Sequence, residues 1–429
     1  MRILLLGATG LIGSAVAARL HGDGHDVVAV VRRRNTVAGS LPAVAVVVAD
    51  LRQTTESDWV PRLAGIEAVV NCAGVLQDGP RDDTARVHVA GAAALFRACA
   101  AAGVRRVVQV SALGADPGAP TAFARTKHAG DAALMALDLD WVVLRPSVVV
   151  GAAAYGGSAL IRGLAALPVQ PGLPGSGRLQ VVQLDDVART VAAMVRAEAP
   201  ARVVLAVAGP EALTFEQVIA AHRRWLGWPP ARTVRLPAWA ARVMFALGDA
   251  AGALGWRSPV RRTARAELAR GSTADPTEWT RLTGIVPQPL GAALASRPAS
   301  VQDRWFARLY FLKPALVVGL ALFWVATGVV ALGPGYDRGV ALLRDAGLGD
   351  LAPAATVIAS LADVVVGAAI AVRCTARTGL VAALALTAAY PAAATALAPA
   401  LWSDPLGPLV KLAPVALAHL AALAILDDR

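Results

Sequence analysis

Charge is scarce in this sequence. Asp, Glu, Lys and Arg make up 17% of its 429 residues, against 56% hydrophobic residues and a mean hydropathy of +0.55. A disordered chain needs the opposite balance and is excluded, and the apolar share exceeds that of an ordinary soluble enzyme. Cysteine is nearly absent. Cys72, Cys99 and Cys374 cannot build a disulfide framework, and their spacing matches no zinc site. The six histidines give no ligand cluster either, so no metal is expected. Aromatic residues are not interleaved with basic ones in the manner that stacks bases. The net charge of +11 is therefore not read as a nucleic-acid surface.

The charge that is present sits on one side of the sequence. Residues 314–429 hold six Lys/Arg against seven Asp/Glu, which leaves a net charge of +12 to the rest. That C-terminal part contains four apolar stretches, 314–332, 354–372, 378–398 and 407–426. Each has about the 20 residues needed to cross roughly 30 Å of hydrocarbon, and four in a row without a charged face do not suit a soluble core. Their many Ala and Gly residues permit close helix approach in lipid. Arg297, Arg304, Arg308 and Lys313 precede the first stretch, and Arg373 and Arg377 join the second to the third. In the other links Arg338 and Arg344 are balanced by Asp337, Asp345 and Asp350, and Asp404 precedes the last stretch. The positive-inside rule then places both termini and the N-terminal part in the cytoplasm, on a multi-pass protein of the cytoplasmic membrane. Trp305, Phe306, Tyr310 and Phe311 form an interfacial belt before the first stretch. Asp363, in the middle of the second stretch, needs an interior partner, and His419 of the fourth stretch lies at a matching depth.

The N-terminus reads differently. Arg2–Leu6 is a short apolar run followed by Gly7-Ala8-Thr9-Gly10-Leu11-Ile12-Gly13 and then by helical spacing. Strand, glycine turn and helix start is the pattern that cradles a dinucleotide pyrophosphate. Gly7 makes the tight turn, Gly10 admits the phosphates, and Gly13 lets the helix pack on the strand. The glycines also break up the apolar run, so it is not read as a cleaved leader. The second strand, 27–31, ends in Arg32-Arg33-Arg34 where an NAD-binding chain carries an acid. Guanidinium groups suit a 2′-phosphate, so NADP is expected, with NAD as the second choice. Further strands are read at 44–48, 68–70, 106–110 and 141–144, with helical stretches such as 84–102 between them. Strands alternating with helices predict an α/β, Rossmann-like, doubly wound parallel sheet, with ligands at its carboxyl edge.

Several separated motifs make a family recognisable. Gly7-x-x-Gly10-x-x-Gly13, Asp50-Leu51, Asn71-Cys72-Ala73-Gly74, Ser111-Ala112-Leu113-Gly114-Ala115, Lys127 and Leu144-Arg145-Pro146-Ser147 resemble the extended and atypical short-chain dehydrogenase/reductases. The subgroup containing the nucleotide-binding accessory subunit of respiratory complex I is the most similar. Residues from about 310 onward resemble the DoxX-like four-helix membrane proteins, on the stretch Asp404-Pro405-Leu406-Gly407-Pro408-Leu409-x-Lys411. The first resemblance implies cofactor contacts at Gly7, Thr9, Gly10, Leu11, Ile12, Gly13, Arg32, Arg33, Asp50, Leu51, Cys72, Ala73, Gly74, Lys127 and Pro146. It implies catalytic roles for Ser111 and Lys127. Active relatives place a tyrosine four residues before the lysine as the proton donor, and here that position is Phe123. A phenyl ring has no proton to give, which puts ordinary carbonyl reduction in doubt but not cofactor binding. His128, next to Lys127, is read as a helix-surface residue.

The expected organisation is thus a nucleotide-binding domain at 1–300, with a small helical substrate or lid part at about 151–300, and a four-helix membrane domain at 301–429. Residues 151–178, rich in Gly, Ala and Pro, suit an irregular segment. Asp185 and Asp186 open a helix, and Thr214 with Gln217 forms a capping box. The apolar stretch 237–254 reads first as a lid helix packed on the core, with a substrate cover or a membrane-surface helix as the alternatives. Two function classes follow. One is a membrane-anchored NADP(H)-binding oxidoreductase acting on a lipophilic acceptor such as a quinone. The other is a non-catalytic nucleotide-binding module that serves a membrane-protein partner.

Overall fold

The computed structural model describes residues 1–33, 44–80 and 82–427. The chain divides into two compact units. The first comprises Met1–Asp249 and Ser258–Ala307, the second Ala250–Arg257 and Arg308–Arg429.

The first unit is built on a seven-stranded sheet: β1 (Arg2–Leu6), β2 (Asp26–Val31), β3 (Ala45–Val48), β4 (Ala68–Asn71), β5 (Arg106–Val110), β6 (Asp140–Pro146) and β7 (Val203–Val207). The spatial order is β7-β6-β5-β4-β1-β2-β3 and every pairing is parallel. The strands are almost wholly apolar because both faces are covered. Ile3 and Leu5 face one layer with Val16 and Leu20 of α1 (Leu11–Gly22), while Leu4 and Leu6 face the other with Leu95 and Phe96 of α2 (Ala92–Ala101). The order reverses between β1 and β4, so a crevice opens where their carboxyl ends diverge.

Six strands were expected for the sheet, and among the described residues it has seven. Val203–Val207 is an apolar run between Pro200 and Gly209 that a reading ending at the sixth strand passes over. The helical stretch at 84–102 is a π-turn, Arg86–Gly91, running into α2. Residues 151–178 are not irregular throughout, for they hold a helix at Gly157–Ala166 and a strand at Val169–Gly172. The buried Arg162 orders them by bonding to the carbonyls of Gly151 and Ala152 and to Asp303. The expected capping box is present, with Thr214 and Gln217 opening α4 (Phe215–Trp225), after α3 (Ala122–Met135) earlier in the chain.

The second unit is a helical bundle. α5 (Ala238–Ala253) crosses the boundary after Asp249 and α6 (Arg262–Arg270) belongs to the first unit; the bundle holds α7 (Leu312–Leu332), α8 (Ala352–Ala371), α9 (Ala376–Leu397) and α10 (Leu412–Ile425). Among the described residues three helices are long and apolar enough to cross a membrane: Val301–Leu332, Tyr336–Ala371 and Ala376–Leu397. The expected fourth span begins later than the hydropathy suggested. Pro408 interrupts it, and Gly407 turns at φ +56°, so helix starts only at Leu412. α10 has 14 residues, about 21 Å of rise against roughly 30 Å of hydrocarbon. α7 and α8 pack antiparallel at their glycines. A Cβ on Gly328 would lie 2.4 Å from the Ser360 carbonyl oxygen, and one on Gly367 would lie 2.7 Å from that of Ala321.

The buried polar groups of the bundle pair differently from expectation. Asp363 accepts a 2.5 Å hydrogen bond from the Tyr390 hydroxyl, and His419 Nε2 accepts one of 2.8 Å from the Trp324 indole. The Asp363–His419 pair is therefore replaced by two pairs. Matching depth did not fix which helix faces which, and Tyr and Trp donors compete for the same acceptors. Tyr390→Phe is expected to leave Asp363 without its donor, at a cost of about 1–3 kcal/mol. Thermal unfolding of the full chain in detergent should show the loss, with partial recovery when Asp363→Leu is added. An unchanged transition would show that the pair carries no stability.

Candidate cofactor and active site

The glycine turn is forced by space. Gly7 has φ +71°, and a Cβ there would lie 2.7 Å from the backbone of Cys72 and Ala73 at the end of β4. A Cβ on Gly13 would lie 2.1 Å from the Gly7 carbonyl oxygen. Only glycine at both positions lets α1 start this close to the two strand ends. Gly10 is the N-cap of α1, and no side chain caps it. The helix thus presents backbone N–H groups and the positive end of its dipole at the crevice, as a pyrophosphate requires. Thr9 is exposed beside it, while Leu11 and Ile12 are half-buried.

At the end of β2, Arg32 lies 3.8 Å from Asp82 in an ion pair and Arg33 is exposed; Arg34 falls outside the described residues. At the end of β3, Asp50 is clamped by Arg52, whose Nη2 lies 2.5 Å from Oδ2. That hydrogen bond holds the carboxyl below its usual range. Leu51 is buried, and its carbonyl oxygen would lie 2.1 Å from a Cβ on Gly91. At the end of β4, Asn71 is locked by Gln109 and accepts from the Ala73 N–H. Burial pushes the Cys72 thiol up to about 12, so it remains protonated.

The expected catalytic pair is brought together at the end of β5. Lys127, on α3, is buried and donates to the Val110 carbonyl at 3.0 Å, one residue before Ser111. Its Nζ would be 3.1 Å from a Cβ on Gly74, so the glycine keeps the amine open to the crevice. Burial pulls the lysine pKa down to about 8, against the opposing pull of Asp131. Phe123 stands one turn before Lys127 on α3, half-buried and edge-on to His88 at 5.8 Å. Pro146 is buried at the end of β6 and accepts from the Leu113 N–H.

Three residues were not legible as site residues. Asp131, one turn beyond Lys127, is fully buried, and its Oδ2 accepts from the Ser111 hydroxyl at 2.8 Å and from Arg145 at 3.0 Å. The Ser111 proton is therefore directed at Asp131. The i,i+4 spacing of Lys127 and Asp131 is the signal in the sequence, and Arg145 lies in the Leu144-Arg145-Pro146-Ser147 stretch. His88 lies on the π-turn. Its Nε2 accepts from the Val75 N–H at 3.0 Å, so the ring proton sits on Nδ1, 2.9 Å from Thr126 Oγ1. Burial first, then Lys127, drives its pKa down to about 2, and the ring stays neutral. Above the site, α6 is held to the β5 loop, with Thr121 donating to Glu267 and Arg270 donating to the Gly114 carbonyl at 2.9 Å.

The Lys127 shift has a stability consequence with a definite sign. The unfolded lysine keeps its proton to about 10.5, the folded one only to about 8. Between those values the unfolded chain binds more protons, so stability rises with pH. Lys127→Met should remove that rise. Its stabilisation over the native chain, on the order of 1–3 kcal/mol at pH 7.5, should shrink towards pH 10. Denaturant titrations at both pH values measure this, and a pH-independent difference would show that Lys127 titrates normally.

Comparison with known proteins agrees with this geometry. A family described as NAD(P)H-binding matches residues 7–198, and the DoxX-like family matches residues 321–420. A ceramide reductase of Caulobacter vibrioides is 28% identical over 280 residues, covering 65% of this chain and 85% of that protein. A 3-diazoavenalumate denitrifying reductase of a Streptomyces species is 31% identical over 263 residues, covering 54% of this chain and 84% of that protein. Among solved structures, MoeE5 in complex with UDP-glucose and NAD aligns with 72% of this chain and 99% of its own, at a TM-score of 0.53 and 23% identity. With the glycine turn, the parallel sheet and the buried lysine in place, the chain belongs to the NAD(P)H-binding family of short-chain dehydrogenase/reductase-like oxidoreductases and carries a C-terminal DoxX-like membrane region.

Proposed function

We propose that this protein is a membrane-anchored NADP(H)-dependent oxidoreductase that reduces a lipophilic acceptor such as a quinone. The observation that carries the reading is a buried, low-pKa lysine beside a phenylalanine, in a chain with membrane-length helices. When bound, the nicotinamide supplies a hydride. Lys127 holds the nicotinamide ribose hydroxyls, Gly7–Gly13 and the start of α1 hold the pyrophosphate, and Arg32 with Arg33 takes the 2′-phosphate. Thr9, Leu11, Ile12, Asp50, Leu51, Cys72, Ala73, Gly74 and Pro146 complete the cofactor cradle. Phe123 excludes water and offers no proton, and Ser111 is turned to Asp131. A quinone suits such a site, because after accepting a hydride it needs one proton that water can deliver. The ceramide reductase relative favours a lipid-like substrate, and the basic link at Arg373 and Arg377 favours a cytoplasmic nucleotide domain.

The test is anaerobic NADPH oxidation by the full chain in lipid nanodiscs, with quinones of increasing tail length. Turnover should favour NADPH over NADH. Arg32→Ala should lower kcat/KM for NADPH by about tenfold, the worth of one charge-assisted hydrogen bond, and leave NADH nearly unchanged. No oxidation with any acceptor would overturn the reading. The missing tyrosine supports a second reading, a nucleotide-binding assembly or sensor module for a membrane-protein partner. Phe123→Tyr separates the two. Gained reduction of a long-chain ketone is expected from an intact site lacking its acid. No gain, with normal cofactor binding, would favour the non-catalytic module.

A further inference from the structure

α5 presents an apolar face to the outside. Trp239, Val243 and Leu247, spaced four apart, are 65%, 51% and 65% exposed, and Leu254 follows at 44%. A helix on a soluble surface carries charge on that side. Here the exposed polar side chain among them is Arg242, and from Pro229 to Arg257 the only carboxylate is Asp249, which is turned to Arg261 and Arg262. Arg232 and Arg235 lie exposed just ahead of the helix.

The far end of α5 is fixed at a known place. Its last residues belong to the helical bundle. The Trp256 indole donates to the Ala371 carbonyl at 2.7 Å, at the end of α8, and the Arg373 N–H donates to the Leu254 carbonyl at 3.0 Å. The Arg373 guanidinium lies 5.5 Å from the Trp256 ring centre. α7 and α8 are antiparallel, so the end of α8 and the start of α7 lie at one face of the bundle. The segment leading into α7 repeats the pattern, with Val301, Trp305 and Leu309 at 50%, 63% and 53% exposure in helix continuous with the span.

We propose that the Trp239–Val243–Leu247 face of α5 lies in the headgroup layer of the bilayer, with its arginines on anionic lipid. An apolar stripe flanked by Arg and Trp, with no exposed acid, is the composition that binds an anionic interface in its plane. In the chain the stripe lies directly before Ala250–Arg257, which belong to the helical unit.

The full chain is tested with Cys374→Ser, leaving the half-buried Cys72 and the buried Cys99, whose thiols burial keeps protonated. Nitroxide labels at Trp239→Cys, Val243→Cys and Leu247→Cys are compared with one at the exposed Glu198→Cys, in nanodiscs containing phosphatidylglycerol. The three stripe positions should be several-fold less accessible to a water-soluble nickel chelate than position 198, and more accessible to oxygen. Nickel accessibility equal to that at position 198 would overturn the proposal. So would spin–spin broadening at position 243 that vanishes with one chain per disc, which would assign the face to a second copy. Circular dichroism of each labelled variant confirms that the helix is intact.

Discussion

The approach of α1 to the ends of β1 and β4 is the constraint on which the nucleotide-binding unit depends. The Gly7 carbonyl occupies the space where a side chain at position 13 would begin, and the β4 backbone occupies the space where one at position 7 would begin. With these two contacts the helix N-terminus faces the crevice between the diverging strands. The sheet order then follows, because right-handed crossovers on both faces bring the ends of β2, β3, β5 and β6 to the same edge. The carboxyl edge gathers Arg32, Asp50, Gly74, Ser111 and Pro146 although they are far apart in sequence.

At that edge the polar side chains are tied to one another. Asp131 is buried between Ser111 and Arg145, and its presence moderates the desolvation of Lys127. His88 is locked neutral by Val75 and Thr126 and fills the space beside Phe123. Where active relatives place a phenol, this chain has two rings packed edge to face.

In the bundle the same economy of polar groups takes another form. Lipid offers no hydrogen bonds, so every interior polar side chain needs a protein partner. Tyr390 of α9 supplies one for Asp363 of α8, and Trp324 of α7 one for His419 of α10, while Gly328 and Gly367 let α7 and α8 approach closely.

The sequence by itself determined the class of fold, the glycine turn, the lysine and its missing tyrosine, and the membrane character of the C-terminal part. Each of these rests on local spacing, composition or the identity of one residue, which folding does not change. Tertiary structure alone decided the partners. Asp131 and Arg145 become site residues only when α3 packs against β6, and His88 only when a π-turn rotates it towards Gly74. The choice of Tyr390 over His419 for Asp363 depends on the rotation of helices about their axes. Hydropathy gives the length and depth of a helix but not the direction its side chains face. The seventh strand and the late start of α10 belong to the same class. One needed a free sheet edge beside β6, and the other needed the turn at Gly407 to form before helix could resume.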